Sequence, residues 1–280
     1  MRAEFTVLRE AADRFYLVSA GALERHDHDT IAKLLPADGS VRLDKVTTQV
    51  GVLVVAGPLA RDVLQPLTDW DLSSKAFPWL TAKPINVGAA EARAMRVNFV
   101  GELGWELHHP IEMQNYIFDQ LMESGRRHGI RPFGTRAMDS LRLEKSYRLV
   151  PQELSIEYAA LESGLDRFFQ PVKGPFIGRD AHAAWQKRGF KNRFVTLEVH
   201  GVTDVDARGS EPIWQGRDLV GRTTSGGYGW RLGKSLALGM LRPDLGALGT
   251  TVEVQILGER LKAVVIPESP FDPENARLKA

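Results

Sequence analysis

The segment that most constrains the fold is RVNFVGELGWELHH, at positions 96–109. Two β-prone runs flank a pair of glycines, a pattern that predicts a strand, a glycine-rich bend and a second strand. The bend would hold the carboxylates of Glu102 and Glu106 close to the indole of Trp105. A carboxylate beside an aromatic ring can bind a flat heterocycle that carries ring N–H donors. The alternative is a surface hairpin with solvated glutamates and Trp105 in the core.

The composition is that of an ordinary globular protein of 280 residues, 43% hydrophobic and 25% charged. Its 36 basic and 35 acidic side chains leave a net charge of +1, which gives no reason to expect nucleic acid or an acidic membrane as a partner. The absence of cysteine excludes disulfides, zinc–thiolate sites and a cysteine nucleophile. No apolar run approaches the ~18 residues of a membrane span. The first residues lack a signal-peptide core, so a cytoplasmic protein is expected.

The first part of the chain mixes strands and helices. Strands are predicted over 3–7, 15–19, 52–55, 85–87 and 92–99, and helices over 20–35, 59–68, 112–128, 134–147 and 176–186. The His-Asp-His-Asp run at 26–29 falls on a helix, where successive side chains point in different directions and cannot converge on one metal ion. A chain that begins with a strand suggests a truncated domain, or a partner that supplies the missing part.

Arg136 lies in the first turn of the predicted helix 134–147. The helix dipole disfavours a cation at this end, which makes Arg136 a candidate for contact with an anion or a carboxylate. The alternative is a surface salt bridge with Asp139 in the same helix.

The second part of the chain, from Arg193 onward, consists of short predicted strands separated by glycine and proline turns. This spacing is typical of a small antiparallel barrel. The domain boundary is predicted in the charged segment 187–191, which gives domains 1–188 and 189–280.

The run GGYGWRLGKS at 226–235 resembles a phosphate-binding loop only in part. The first glycine of that motif is replaced by Tyr228, and the run lies among hairpins, so a nucleotide site is excluded there. The pattern predicts a long barrel loop instead, with Tyr228, Trp230 and Arg231 facing the first domain.

Five motifs occur in an order that is specific as a set. They are VGELGWEL at 100–107, RAMDSLRLEKSYR at 136–148, LESGLDRF at 161–168, FIGRDA at 176–181, and GRTTSGGYG with KSLALG between 221 and 239. With them the chain resembles the glycine-cleavage T-protein (aminomethyltransferase) family, and within it the carboxy-terminal folate-binding half of dimethylglycine and sarcosine dehydrogenases. The resemblance runs from Glu4 to near Arg277. It implies an α+β folate-binding domain, amino-terminally truncated here, followed by a small antiparallel β-barrel domain.

The resemblance also implies which residues contact tetrahydrofolate. The family's pterin-binding carboxylate falls on Glu106, and an aromatic residue seven positions earlier falls on Phe99. That position is usually tyrosine in the family, so stacking is kept while a hydroxyl contact is lost. The family arginine early in the following helix falls on Arg136. Trp105 and Tyr228 complete the expected set of cofactor-binding residues.

The one-carbon site departs from the family pattern. The motif G-G-I-x-x-D-L places an aspartate in a strand near the folate, and Glu4 stands at that position here, without the two glycines. The acid is retained one methylene further out, a displacement to which general-base geometry is sensitive. Family members carry further residues before this strand, and the dehydrogenases carry a flavin domain before those. No G-x-G-x-x-G fingerprint occurs, so flavin is not expected to bind by that route.

The implied activity is transfer of a one-carbon unit from a dimethylglycine-, sarcosine- or glycine-type donor to tetrahydrofolate. Glu106 would anchor the pterin between the hairpin and the barrel, and Glu4 would assist the folate amine that attacks an iminium carbon. The expected partners are a small amine-derived substrate and a flavoprotein chain or domain that carries out the oxidation. Two alternatives stay open: a non-catalytic folate-binding module, and a fragment of a larger flavin-dependent dehydrogenase.

Overall fold

The computed structural model describes residues 3–280, and their contacts divide the chain into two compact units. The sheet unit comprises Val7–Met138 and Asp272–Ala280. The barrel unit comprises Asp139–Phe271 together with residues 3–6. Each unit is therefore assembled from segments that are distant in sequence. The division into domains 1–188 and 189–280 stays a prediction.

The sheet unit is built on a four-stranded antiparallel sheet with the strand order β3-β6-β5-β4. Its strands are β3 (Val50–Ala56), β4 (Ala82–Val87), β5 (Ala90–Met95) and β6 (Gly104–Pro110). A separate ribbon pairs β1 (Thr6–Arg9) with β2 (Phe15–Val18). The helices of the chain are α1 (Glu24–Ala32), α2 (Ala60–Leu64), α3 (Gln114–Gly125), α4 (Thr135–Leu143), α5 (Arg179–Arg188) and α6 (Ala276–Lys279). The mixture of strands and helices confirms the α+β class predicted for the first part of the chain.

One face of the sheet packs against α2 and α3 to form the core of this unit. Alternate residues of β6, Trp105 and Leu107, are fully buried there, beside Leu64 of α2 and Ile117 of α3. Burying a side chain of this size stabilises the fold by roughly 1.5–3 kcal/mol. Gly104, at the start of β6, permits the close approach of β3, because a Cβ there would lie 2.4 Å from the carbonyl oxygen of Val55.

The strand predicted over 3–7 begins too early, and the strand predicted over 92–99 ends too late. β1 begins at Thr6, so Glu4 precedes the strand rather than lying in it. β5 ends at Met95, and residues 96–103 form a loop before β6 begins. The loop replaces a strand because the Asn98 side chain accepts hydrogen bonds from the backbone amides of Val100 and Gly101, at 3.0 and 3.1 Å. A side chain that bonds its own backbone in this way competes with strand pairing.

The barrel unit contains a closed antiparallel barrel with the strand order β10-β7-β12-β11-β8-β9, which confirms the predicted barrel. The strands are β7 (Arg193–Val199), β8 (Pro212–Gln215), β9 (Asp218–Gly229), β10 (Lys234–Leu241), β11 (Thr251–Ile256) and β12 (Glu259–Ile266). Inward-facing apolar side chains such as Leu197, Ile213 and Val254 are fully buried in its core. Closure leaves these strands without a free edge.

The long loop predicted around Tyr228 is wrong. β9 extends to Gly229 and β10 begins at Lys234, so the connection is a tight hairpin in which Tyr228 pairs with Ser235. Gly233 has φ +66, a conformation that glycine adopts at little cost. The glycines of this run thus serve close strand pairing and a turn.

Buried charges connect the segment after α4 to the barrel. Glu144 is fully buried, forms an ion pair with Arg231, and accepts a hydrogen bond from the Arg231 backbone amide at 2.7 Å. Glu153 is also fully buried and accepts a 2.7 Å hydrogen bond from the hydroxyl of Ser225 in β9. Arg142 donates to the same hydroxyl at 3.0 Å. These bonds explain why residues from Asp139 onward belong to the barrel unit.

None of the helices within residues 3–280 is long and apolar enough to cross a bilayer. The cytoplasmic location stays a prediction.

We expect Glu144→Ala to destabilise the barrel unit by about 3 kcal/mol, because it leaves the partly buried Arg231 guanidinium without its carboxylate. The matched control is Glu157→Ala, since Glu157 forms an ion pair with Arg222 in which both side chains are largely exposed. The control should cost less than about 1 kcal/mol. Urea unfolding of both variants measures the difference in unfolding free energy. Equal losses of unfolding free energy in the two variants would contradict a larger contribution from the buried ion pair.

Candidate functional site

The candidate site is built on β6, whose two faces carry different chemistry. Trp105 and Leu107 point into the core, and Glu106 and His108 lie on the opposite face of the sheet. This follows from strand geometry, in which successive side chains alternate between the two faces. In the antiparallel register Glu106 lies between Val54 of β3 and Met95 of β5.

The Glu106 carboxylate is oriented by one neighbour and partly exposed. Its Oε2 lies 3.2 Å from Nε2 of His108, and its side chain is 24% exposed. Within residues 3–280, Oε1 of Glu106 accepts no hydrogen bond. The carboxylate therefore presents acceptor positions on a surface that a ligand can reach.

A chain of polar contacts continues behind Glu106. His108 is 3% exposed, and its Nδ1 lies 3.1 Å from the Tyr16 hydroxyl. The Arg93 guanidinium lies over the Tyr16 ring, 4.1 Å from its centre, and forms an ion pair with Glu10. Burial raises the pKa of the Tyr16 phenol, an effect that Arg93 partly offsets. The sequence prediction missed His108 and Tyr16, although the Glu-x-His spacing in a strand would have placed His108 beside Glu106.

Trp105, which the sequence predicts to pack on a ligand, has its side chain in the core, and its ligand role stays a prediction. Its side chain has no exposed surface and meets Phe77 edge-on, with ring centres 6.1 Å apart. The guanidiniums of Arg61 and Arg96 lie 5.9 and 5.7 Å from the centre of the indole. Trp105 faces the core because it is one residue out of phase with Glu106 along β6, as in the alternative hairpin reading.

Glu102 does not form a clamp with Glu106. Both of its carboxylate oxygens are engaged by Arg277, at 3.4 and 3.3 Å, in the segment that returns to the sheet unit. Phe99, in the same loop, is half-buried, and it lies outside the strand predicted for it. Asn98 donates a 2.7 Å hydrogen bond to the Glu102 carbonyl oxygen, which closes the loop that carries Phe99.

Arg96 anchors the start of this loop in the interior. The residue is 1% exposed and donates to the carbonyl oxygens of Phe77 at 2.6 Å, Leu278 at 3.2 Å and Ala280 at 2.7 Å. Burial, and to a lesser extent the charge of Arg61, lowers the pKa of Arg96. The sequence prediction assigned Arg96 to a strand and missed this role, because two of its three partners lie 182 and 184 residues away in the chain.

Arg136 is exposed in the first turn of α4. Over the described residues its guanidinium makes no hydrogen bond or ion pair. The alternative salt bridge with Asp139 is not formed, and the Asp139 carboxylate accepts a hydrogen bond from Arg142 at 2.8 Å. A guanidinium without a protein partner is available to an anionic ligand.

Two other predicted residues, Glu4 and Tyr228, belong to the barrel unit. Glu4 is exposed ahead of β1. Tyr228 is 37% exposed at the end of β9, with its ring edge-on to Trp230 at 4.9 Å. The sheet unit thus holds Phe99, Glu106 and Arg136, and the roles of Glu4 and Tyr228 stay predictions.

A groove of about 720 Å³ runs along the outer strand β3 in the sheet unit. It is lined by β3, α3 and residues 128–135, and none of the predicted site residues lines it.

The described part of the chain contains no cluster of three or more histidine, aspartate or glutamate side chains that could hold a metal. In the run at 26–29, His26 instead contacts the buried Asp27 at 3.1 Å.

Comparison with known proteins assigns the family. The model of the GCVT N-terminal domain matches residues 1–173, and that of the glycine cleavage T-protein C-terminal barrel domain matches residues 192–272. The chain belongs to the glycine-cleavage T-protein family. The predicted resemblance is thereby confirmed.

Two curated relatives and one solved structure show how far the likeness extends. Mitochondrial dimethylglycine dehydrogenase of Mus musculus is 39% identical over 281 residues, which cover 99% of this chain and 32% of that protein. An aminomethyltransferase of Desulfitobacterium hafniense (strain Y51) is 31% identical over 94% of this chain and 71% of its own length. The chain therefore spans about a third of the dehydrogenase relative. The crystal structure of glycine cleavage system aminomethyltransferase T from Bartonella henselae shares the fold, with a TM-score of 0.81 at 21% identity over 96% of this chain and 72% of that one.

We expect Trp105→Ala to lower the free energy of unfolding by about 3–5 kcal/mol, because it leaves a large cavity in the core of the sheet unit. Trp230→Ala is the matched control, since Trp230 is 79% exposed, and it should stay within about 0.5 kcal/mol of wild type. Guanidinium unfolding followed by circular dichroism compares the two. A mild effect of Trp105→Ala would contradict its place in the core.

Proposed function

We propose that the chain binds tetrahydrofolate and transfers to it a one-carbon unit from a small amine-derived donor of the dimethylglycine, sarcosine or glycine type. The observation that supports this most is the Glu106 carboxylate. It lies in the family motif, one oxygen is held by His108, and Oε1 accepts no hydrogen bond within residues 3–280. Membership of a family that includes aminomethyltransferases supports the reaction class.

The side chains of the sheet unit suit the chemistry of a reduced folate. A pterin ring presents N–H donors in its plane, and the Glu106 carboxylate keeps lone pairs that can accept them. The half-buried Phe99 offers an aromatic ring for packing against a flat heterocycle. The exposed Arg136 guanidinium can bind a carboxylate or polarise a carbonyl oxygen of the ligand.

Tetrahydrofolate supplies the nitrogen that takes up the one-carbon unit. This chain binds and orients that nucleophile. Glu106 binds the edge of the pterin ring and Phe99 packs against its face. Arg136 orients the ligand in the site. A carboxylate also stabilises a cationic electrophile and the positive charge that passes to the attacking nitrogen. We propose Glu4 for this electrostatic or general-base role, and Tyr228 for a further ligand contact.

The donor must be oxidised before transfer if it arrives as dimethylglycine or sarcosine. The dimethylglycine dehydrogenase that this chain resembles is about three times as long as the match. We therefore propose a flavoprotein chain or domain as the partner that delivers the iminium, and we expect no oxidoreductase activity from residues 1–280 alone.

We expect Glu106→Gln to weaken tetrahydrofolate binding about 5- to 150-fold, the effect of losing a charged hydrogen-bond partner of about 1–3 kcal/mol. Titration calorimetry under anaerobic conditions measures this directly. The matched control is Glu91→Gln, because Glu91 is exposed two residues before Arg93 in β5 and points to the same sheet face as Glu106. No binding by folded wild type, or equal effects of the two changes, would contradict the proposed site.

We expect Glu4→Gln to leave tetrahydrofolate affinity within about 3-fold while lowering the rate of one-carbon transfer about 100-fold, within the range for removing an acid–base group. The assay follows methylenetetrahydrofolate formation from formaldehyde and tetrahydrofolate above the uncatalysed rate. Rapid turnover by the variant would exclude the role of Glu4. Folate binding by wild type without any turnover would favour a non-catalytic folate-binding module.

A further inference from the structure

The outer face of the sheet carries a polar network that the proposed pterin contact does not itself require. We infer that His108 and Tyr16 are positioning residues that hold the Glu106 carboxylate in one orientation through a fixed imidazole tautomer. The inference rests on the proposed function in one respect, that the held carboxylate serves folate. The hydrogen-bond geometry behind it lies wholly within the sheet unit.

The tautomer follows from the partners of the two ring nitrogens. Nε2 of His108 lies 3.2 Å from a carboxylate oxygen of Glu106, which can only accept, so Nε2 carries the hydrogen. Nδ1 lies 3.1 Å from the Tyr16 hydroxyl, which can donate to it. The result is a directed chain in which the phenol donates to the imidazole and the imidazole donates to the carboxylate.

The surroundings favour a phenol that keeps its proton. Burial raises the pKa of Tyr16, and the negative charges of Glu10 and Glu106 act in the same direction. Arg93 acts in the opposite direction but is neutralised in part by its ion pair with Glu10. Arg93 is also the cross-strand neighbour of His108, so it holds the Tyr16 ring directly beside the histidine.

As a consequence, the two carboxylate oxygens of Glu106 have different roles. Oε2 is committed to His108, and Oε1 remains for a ligand. A glutamate on an exposed face otherwise loses side-chain conformational entropy when a ligand fixes it. Prior fixing by the buried imidazole lowers this cost, which is the general benefit of an organised second layer around a binding group.

The adjacent histidine supplies an internal control. His109 points to the other side of β6 and places its Nδ1 2.9 Å from the Pro110 carbonyl oxygen, which can only accept. His109 therefore carries its hydrogen on Nδ1, the opposite tautomer to His108. His108 and His109 are 3% and 2% exposed. Water therefore does not replace the protein groups that hydrogen-bond to either ring.

The test is nitrogen-15 NMR of the histidine rings in the full chain, with His108 assigned by the signal that His108→Gln removes. We expect the Nε2–H tautomer at His108 and the Nδ1–H tautomer at His109. Glu106→Gln, whose amide can donate as well as accept, should convert His108 to a mixture of tautomers. Tyr16→Phe should keep the Nε2–H tautomer and shift the Nδ1 resonance, which loses its hydrogen-bond donor. Both changes should leave His109 unchanged. An Nδ1–H tautomer at His108 in wild type, or no response to Tyr16→Phe, would overturn the inference.

Tetrahydrofolate calorimetry on the same variants connects the network to the ligand. Tyr16→Phe should weaken binding about 2- to 10-fold, the scale of one hydrogen bond. His108→Gln, which keeps a donor near Nε2, should bind more tightly than His108→Asn, whose shorter side chain reaches only the Tyr16 side. Equal tetrahydrofolate affinity of His108→Gln and His108→Asn would contradict the inference that Nε2 of His108 positions the Glu106 carboxylate. A wild type with the expected tautomers that fails to bind tetrahydrofolate would overturn the proposed function and leave the fixed carboxylate standing.

Discussion

The alternation of side chains along β6 is the constraint on which the sheet unit depends. One strand supplies Trp105 and Leu107 to the core and Glu106 and His108 to the outer face. Because the period is two residues, a shift in register by one residue would exchange the two faces. The core therefore fixes the carboxylate: the burial of the indole determines where Glu106 points. Stability and the candidate binding site are set by the same backbone.

A second constraint lies in the charges buried after α4. Glu144 and Glu153 have no exposed surface, and their partners Arg231 and Ser225 come from the β9–β10 region. Buried charges are costly unless paired, so these contacts tolerate little rearrangement. They bind Glu144 and Glu153, which the predicted boundary places within the first domain, into the barrel unit.

Much of the fold could be predicted from local pattern. Helical periodicity predicted α3 and the Gly129 stop that follows it, and short glycine-bounded strands predicted the barrel. The Glu106 position was found through an ordered set of motifs. What local pattern could not reveal was long-range pairing. Arg96 reads as a strand residue until the carbonyl oxygens of Leu278 and Ala280 are known to reach it.

The site shows the same limit. Trp105 lies beside Glu106 in sequence and on the other side of the sheet in space, so adjacency suggested a contact that strand geometry forbids. Tyr16 lies 92 residues from His108, a separation at which no spacing rule applies. Arg136 was a candidate from its place in the first turn of a helix and from the family resemblance, and its guanidinium has no partner among the described residues.

The return of Asp272–Ala280 to the sheet unit has a consequence for biogenesis. Translation delivers Val7–Met138 before the barrel strands, yet Arg96 and Glu102 meet Ala280 and Arg277 only after residues 272–280 have been synthesised. Residues 139–271 of the barrel unit, which are synthesised in between, can fold first. A nascent chain would thus hold an incomplete sheet unit, in which Arg96 has its bond to Phe77 but not those to Leu278 and Ala280, throughout the synthesis of the barrel. That interval is when chaperone binding would matter most.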